Sequence, residues 1–294
     1  MTLGTTRRVG PTIRVGCLEA RVKSMPQGLY LYCLAWIERL PPSPLLGRGL
    51  DGQNSLAVSR CQDLAAVWSL VPLEDFCGPE AEARLRDLTW IGPRVIRHQE
   101  VVAGVMRHSP VLPARFGTIF SSLANLEKVL QRHSDTIAGF LKRLTGQEEW
   151  AVKGLLDRPG AKEKLFSLKL AREAKTLEAL SPGKRYFEEQ RLRAACDREL
   201  PRWVQEVCRE VWTDLRTCAA EARERRVLSR EASGSDKDMV WNWALLMPRQ
   251  AVGGFQAQIR DVNAQYAERG LRLECTGPWP PYSFCPALDM EPEP

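Results

Sequence analysis

The chain has 294 residues, 44% of them apolar and 27% charged, with a formal net charge of +6. That length suits two domains, each large enough to bury its own core, and the composition excludes disorder as the default state. No window approaches the roughly 18 consecutive apolar residues of a membrane span, and no apolar run with a small-residue cleavage site follows Arg7 and Arg8, so a soluble, cytoplasmic chain without membrane contact is expected.

Residues 1–26 carry no sustained period and end at Met25-Pro26, which marks them as an N-terminal arm outside the fold. Leu29 to Trp36 is aromatic-rich and nearly all apolar, the pattern of a central strand covered on both faces. Prolines and glycines from 41 to 54 predict an exposed loop. Leu56–Ser59 and Leu64–Leu70 then predict a hairpin around Cys61-Gln62-Asp63. Ala81, Leu85 and Leu88 share one helical face, and Val95, Val101, Val102 and Val105 another, with Pro93 expected in the first turn of the second helix. After residues 110–117, which read as a strand, Leu123 to Leu130 and Ile137 to Leu144 return to helical spacing, and Gly146 ends the second of these helices.

The second half opens with a strand from Glu149 to Leu156, closed by Asp157-Arg158-Pro159-Gly160. A long helical region runs to about Leu228, interrupted near Ser181-Pro182-Gly183, with a stripe of Trp203, Val207, Val211, Leu215, Cys218 and Ala222 that must cover its own domain or a partner helix. Met239, Trp241, Trp243, Leu245 and Met247 alternate along a strand, Val252, Phe255, Ile259 and Val262 mark a helix, and Leu271–Cys275 is the last strand. The order of elements predicts an α+β protein of two domains, each an antiparallel sheet with helices on one face in the ferredoxin-like manner, over 27–146 and 147–276, followed by an extended proline- and tryptophan-rich tail over 277–294. In that tail Trp279, Tyr282 and Phe284 are the expected anchors, docking back on the protein's own surface in preference to the alternative of an aromatic groove on a partner.

Chemistry is sparse. Nine scattered cysteines (17, 33, 61, 77, 196, 208, 218, 275 and 285) include no CxxC, and the three histidines show no HxxxH or HExxH spacing, so neither a metal centre nor a disulfide framework is indicated. His98 and His108 fall near the ends of one predicted helix and read as surface or helix-terminus residues. Neither GxxxxGK[ST] nor GxGxxG is present, and no cofactor is expected. Basic residues are interleaved with acids, as in Glu221-Ala222-Arg223-Glu224-Arg225-Arg226, which reads as a solvated helix face and argues against nucleic acid. Arg115 stands alone between Leu112 and Phe116 in the predicted strand, where a cation needs a salt bridge to a neighbouring helix or an acidic group on a partner.

The run Pro110-Val111-Leu112-Pro113-Ala114-Arg115-Phe116-Gly117-Thr118 resembles the core motif of the gas vesicle protein F/L family. Gly28–Leu34, Asp63–Ser69, Glu149–Lys153 and Leu271–Phe284 are similar to further segments of that family in the same order, so the likeness spans about residues 27–284. It implies a ferredoxin-like fold and a non-enzymatic accessory or minor structural role in gas vesicle assembly, with the small apolar shell protein and other accessory proteins as partners. A permanent place on the gas-facing wall is the alternative within the family. A ferredoxin-like ligand-binding regulator or enzyme is the alternative from another class, although nothing in the sequence makes Arg115, His108 and Glu149 converge on a pocket.

Overall fold

The computed structural model describes residues 26–41 and 47–289. The expected arm, apart from Pro26, lies outside them, as do Cys17 and the last five residues of the expected tail. The chain forms two compact units, one holding residues up to Thr145 together with those from Pro280 onward, the other Gly146–Trp279. The expected tail is thereby divided, because 277–279 complete the last strand of the second unit and 280–289 fold with the first.

In the first unit β1 (Gln27–Trp36) is the central strand, flanked by β3 (Leu64–Pro72) and β4 (Val111–Pro113), with β2 (Ala57–Cys61) outside β3 and β5 (Ile119–Phe120) also on β1. All pairings are antiparallel. Positions 28–35 of β1 are buried throughout, so the centre of the sheet is covered on both faces rather than one. The β2–β3 hairpin turns at Gln62, whose φ of 55° opens the reversal. Helices α1 (Pro79–Arg86), α2 (Leu88–Met106), α3 (Leu123–Arg132) and α4 (Ser134–Arg143) complete the unit. Asp87 caps α2 by accepting from the Thr89 N–H, so this helix starts a turn earlier than its apolar spacing suggests and carries Pro93 inside it, not in the first turn. No α-helix joins β1 to β2 among the described residues, which departs from the expected ferredoxin-like order, and the proline- and glycine-rich composition of that stretch is the reason.

The second unit contains β6 (Gln147–Leu156), α5 (Arg158–Glu178), α6 (Pro182–Thr217), β7 (Glu221–Glu224), α7 (Arg230–Ser233), β8 (Asp238–Pro248), α8 (Val252–Tyr266) and β9 (Leu271–Trp279), with antiparallel sheet order β7-β8-β6-β9. Asp157 caps α5 through the Gly160 N–H at 3.1 Å. The core lies between the sheet and α6 and α8, where Leu200, Val207, Val211 and Leu215 meet Trp241, Trp243, Leu245, Met247, Phe255 and Ile259. A bulge between Gly154 and Leu155, opposite Val240, breaks the alternation of β8, so Val240 joins this cluster and Met239 does not. Gly154 is required there, since a Cβ would overlap the Trp241 indole.

The helical region ends at Thr217, not near Leu228. Residues 221–224 pair with β8 as an edge strand whose charges have no apolar period to bury, which is why a helical reading of them fails. At the opposite edge the Asn263 side chain imitates a strand. Its amide accepts from Leu273 N–H at 2.7 Å and donates to Leu273 O at 2.9 Å, closing part of the free ladder of β9.

Candidate functional site

The motif at 110–118 does not form one strand. β4 ends at Pro113 and β5 begins at Ile119, both on β1, and the residues between them arch away from the sheet. Ala114 N–H donates to Tyr32 O at 2.9 Å, Thr118 N–H returns to Arg115 O at 3.1 Å, and Gly117 adopts φ 84°, a left-handed conformation suited to glycine. Arg115 therefore sits exposed on a turn rather than buried in a strand, and no ion pair among the described residues includes it. The expected salt bridge to a helix is not formed, because a cation at the crest of an arch reaches water directly.

Phe116 points the other way. Its ring lies edge-on to Tyr30 at 5.9 Å and to His98 at 5.9 Å, and beside Phe76 at 6.3 Å. Tyr32 stacks on His98 at 5.6 Å, and Trp90 meets Phe76 at 5.8 Å. The motif thus closes an aromatic cluster around a histidine from the middle of α2.

His98 is 3% exposed, neither on the surface nor at a helix end. Its spacing to Val102 and Val105 places it on the apolar face of α2, a signal present in the sequence. Gly117 N–H donates to Tyr30 Oη at 3.2 Å, leaving the phenol hydrogen for His98 Nδ1 at 2.9 Å, and His98 Nε2–H then donates to Tyr282 Oη at 3.0 Å. Burial lowers the His98 pKa to about 4, offset in part by the Ala114 carbonyl, so the ring is neutral at pH 7. Burial likewise raises Tyr30 and Tyr282 above the ordinary phenol range and pushes Tyr32 up to about 12, where it bonds Ser69 Oγ at 2.9 Å. The ring nitrogens are occupied by phenols, so the arrangement holds the motif arch and the returning C-terminal segment rather than presenting a base to a substrate.

That segment is anchored at several further points. Phe284 is 1% exposed, Arg143 donates to its carbonyl at 3.3 Å, and His133 Nε2 donates to Asp289 O at 2.8 Å. Of the three aromatic anchors named from sequence, Tyr282 and Phe284 lie in the first unit, whereas Trp279 closes β9 in the second, donating its indole N–H to Thr276 Oγ1 at 3.1 Å.

The stripe of α6 is placed on its own unit. Trp203 lies edge-on to Tyr266 at 6.1 Å, and Val207, Val211 and Leu215 are buried in the sheet–helix core. Arg115 and His108 belong to the first unit and Glu149 to the second, where Glu149 is buried and lies 4.0 Å from Arg225. Among the described residues no group of three metal-ligating side chains comes together, and no helix is long and apolar enough to cross a membrane.

The family model for the gas vesicle synthesis protein GvpL/GvpF matches residues 28–286. Gas vesicle protein L of Streptomyces sp. (strain CB03234) is 30% identical over 224 residues, covering 76% of this chain and 80% of that one. Gas vesicle protein L1 of Halobacterium salinarum is 24% identical over 277 residues, covering 90% and 93%. The fold is similar to the crystal structures of GvpF from Anabaena sp. PCC7120 (TM-score 0.63, 19% identity, covering 90% of this chain and 98% of that one) and from Microcystis aeruginosa (0.61, 21%, covering 88% and 99%). With the match running from β1 through the returning anchor Phe284, this chain belongs to the GvpL/GvpF family of gas vesicle synthesis proteins.

Proposed function

We propose that this chain is a non-enzymatic accessory protein of gas vesicle assembly that works in the cytoplasm, binding the small apolar shell protein and other gas vesicle accessory proteins. The observation that carries this reading is the family match over 28–286, which includes nearly all of both folded units. Physical chemistry supplies the need for such a protein. A shell subunit with an apolar gas-facing surface and free strand edges aggregates in water unless those surfaces are covered until it joins the wall. Within the motif Phe116 and Gly117 are spent on the internal aromatic cluster, which favours a protein that acts through its surface over one that acts through a reactive site.

Co-expression of the shell protein with and without the full chain tests this reading. The expected result is more soluble shell protein and more vesicles when the chain is present, and equal amounts in both would refute it. Washing purified vesicles with urea and probing for the chain then separates an assembly factor, which washes away, from a permanent wall component, which stays.

A further inference from the structure

Helix α2 has a second apolar face that the fold leaves open. Its inner face, with His98, Val101, Val102 and Val105, is buried. On the other side Leu88, Val95 and Ile96 are 81%, 43% and 62% exposed, and their spacing brings them onto one stripe. Gly92 lies between them, and a side chain there would meet nothing within 4 Å. A stripe of this kind differs from apolar residues scattered singly over a surface.

The direction of α2 places the stripe where the chain enters the fold. His98 bonds Tyr30, and Ser109, just past the helix, accepts from the Trp36 N–H at 3.1 Å, so α2 runs the same way as β1. Leu88 precedes His98 by about 15 Å of helix, and Pro26 precedes Tyr30 by about 13 Å of strand, which sets both at the same end of the first unit. Pro26 is fixed there, its carbonyl accepting from the Leu73 N–H at 2.9 Å. From Leu73 the surface runs on to the stripe, because Arg84 donates to the Glu74 carbonyl at 3.2 Å, the Asp87 N–H donates to the Arg84 carbonyl at 3.1 Å, and Leu88 follows.

That surface is acidic. Residues 74–87 hold five carboxylates, Glu74, Asp75, Glu80, Glu82 and Asp87, against two cations. Arg84 is held by Asp75 at 2.8 Å and Glu80 at 3.4 Å, and Arg86 by Glu82 at 3.4 Å, so the carboxylates of Glu74 and Asp87 join no ion pair among the described residues. Farther along α2, Arg94 lies over the Trp90 ring at 3.9 Å and Arg97 faces Glu100 at 3.0 Å.

We propose that residues 1–25 of this chain dock in cis on this surface, their apolar side chains covering Leu88, Val95 and Ile96 while Arg21 and Lys23 meet Glu74 and Asp87. Residues 1–25 hold five cations against one acid, the complementary sign. Leu18, Val22 and Met25 alternate with Arg21 and Lys23 just before Pro26, and that stretch reaches about 28 Å when extended, more than the roughly 12 Å from Leu88 to Ile96. Tethering at Pro26 sets an effective concentration in the millimolar range, so contacts too weak to join separate molecules suffice. A symmetric contact between two copies would instead set carboxylates against carboxylates. Residues 1–25 are thereby a built-in cover for an apolar face, a role independent of the assembly function proposed above.

The test uses the full chain with a benzophenone photo-crosslinker in place of Leu88 and, as a control, in place of Lys128, which is exposed on α3. Adducts of monomer mass from position 88 to residues 1–25, mapped by peptide mass spectrometry, are expected, with none from position 128. Raising the salt from about 0.01 M to about 1 M shortens the range of the attraction from about 30 Å to about 3 Å and should lower the yield several-fold. Arg21→Glu with Lys23→Glu should lower it about tenfold at low salt. An unchanged far-ultraviolet circular dichroism spectrum excludes unfolding as the cause. Undiminished yield in that variant would overturn the inference. So would the absence of adducts to residues 1–25, or adducts formed chiefly with another segment of the chain, a second copy or another protein.

Discussion

Two aromatic groups in this protein have opposite fates. In the first unit Tyr30, Tyr32, Phe76, His98 and Phe116 are packed around one another, and the hydroxyls of Tyr30 and Tyr32 are both hydrogen-bonded. Near the start of α6 in the second unit Tyr186 and Phe187 touch each other and otherwise face solvent. Buried and satisfied aromatics stabilise a fold, whereas an exposed pair contributes little to the folded state and retains its burial energy for a partner. The first group therefore explains stability, and the second adds little to it.

The comparison can be broken at its stable end by removing the returning segment. Truncation after Trp279 takes away Tyr282 and Phe284 and should cost at least about 5 kcal/mol, with Phe284→Ala alone costing about 3–5 kcal/mol, both read from urea unfolding. A residual loss under about 1 kcal/mol would mean that the segment is not integral to the first unit.

Acid tests the same cluster through its histidine. The folded pKa of about 4 lies below the ordinary value near 6.5, so the unfolded chain binds the proton more readily. Stability attributable to His98 is complete above about pH 6.5, falls as the pH drops toward 4 and levels off below, a total of about 3 kcal/mol. His98→Gln replaces the imidazole with an amide that hydrogen-bonds without titrating, and the difference between the two stability profiles over that window is the readout. Parallel profiles would show that the histidine is not buried as described.

A smaller effect is expected in the second unit. Gly154→Ala drives a methyl group into Trp241 at the bulge and should destabilise by about 1–3 kcal/mol, with a change in the near-ultraviolet dichroism of the stacked Trp241 and Trp243. The smallest effect on stability belongs to the exposed pair of α6. Tyr186→Ser with Phe187→Ser should leave urea unfolding within about 0.5 kcal/mol of wild type, in contrast to the Phe284 result.

Much of this was legible in the sequence. Period-two alternation located β8, helical spacing located the packed stripe of α6, and Gly146 marked a real left-handed turn. The errors share a cause, since each concerns a feature that spacing alone does not encode. An apolar run split by two prolines and a glycine reads as one strand, yet the positive φ of Gly117 turns it into an arch and brings Arg115 out to water. A charged segment without apolar period reads as a solvated helix, yet β7 is fixed by backbone pairing to β8. His98 lay on an apolar helix face in plain view, but the partners that make it buried and neutral, Tyr30 and Tyr282, stand 68 and 184 residues away. Tyr186 and Phe187 could not be judged exposed without knowing that the α6 residues buried against the sheet begin only at Leu200.

The most direct measurement of the central claim is made in the host. Deleting the gene for this chain and returning either the wild-type protein or an empty vector, with vesicles counted by electron microscopy and their shell protein quantified, asks whether assembly depends on it. The account predicts few or no vesicles after deletion, insoluble shell protein, and recovery of both with the wild-type chain. Normal vesicle number and soluble shell protein in the deletion strain would contradict it.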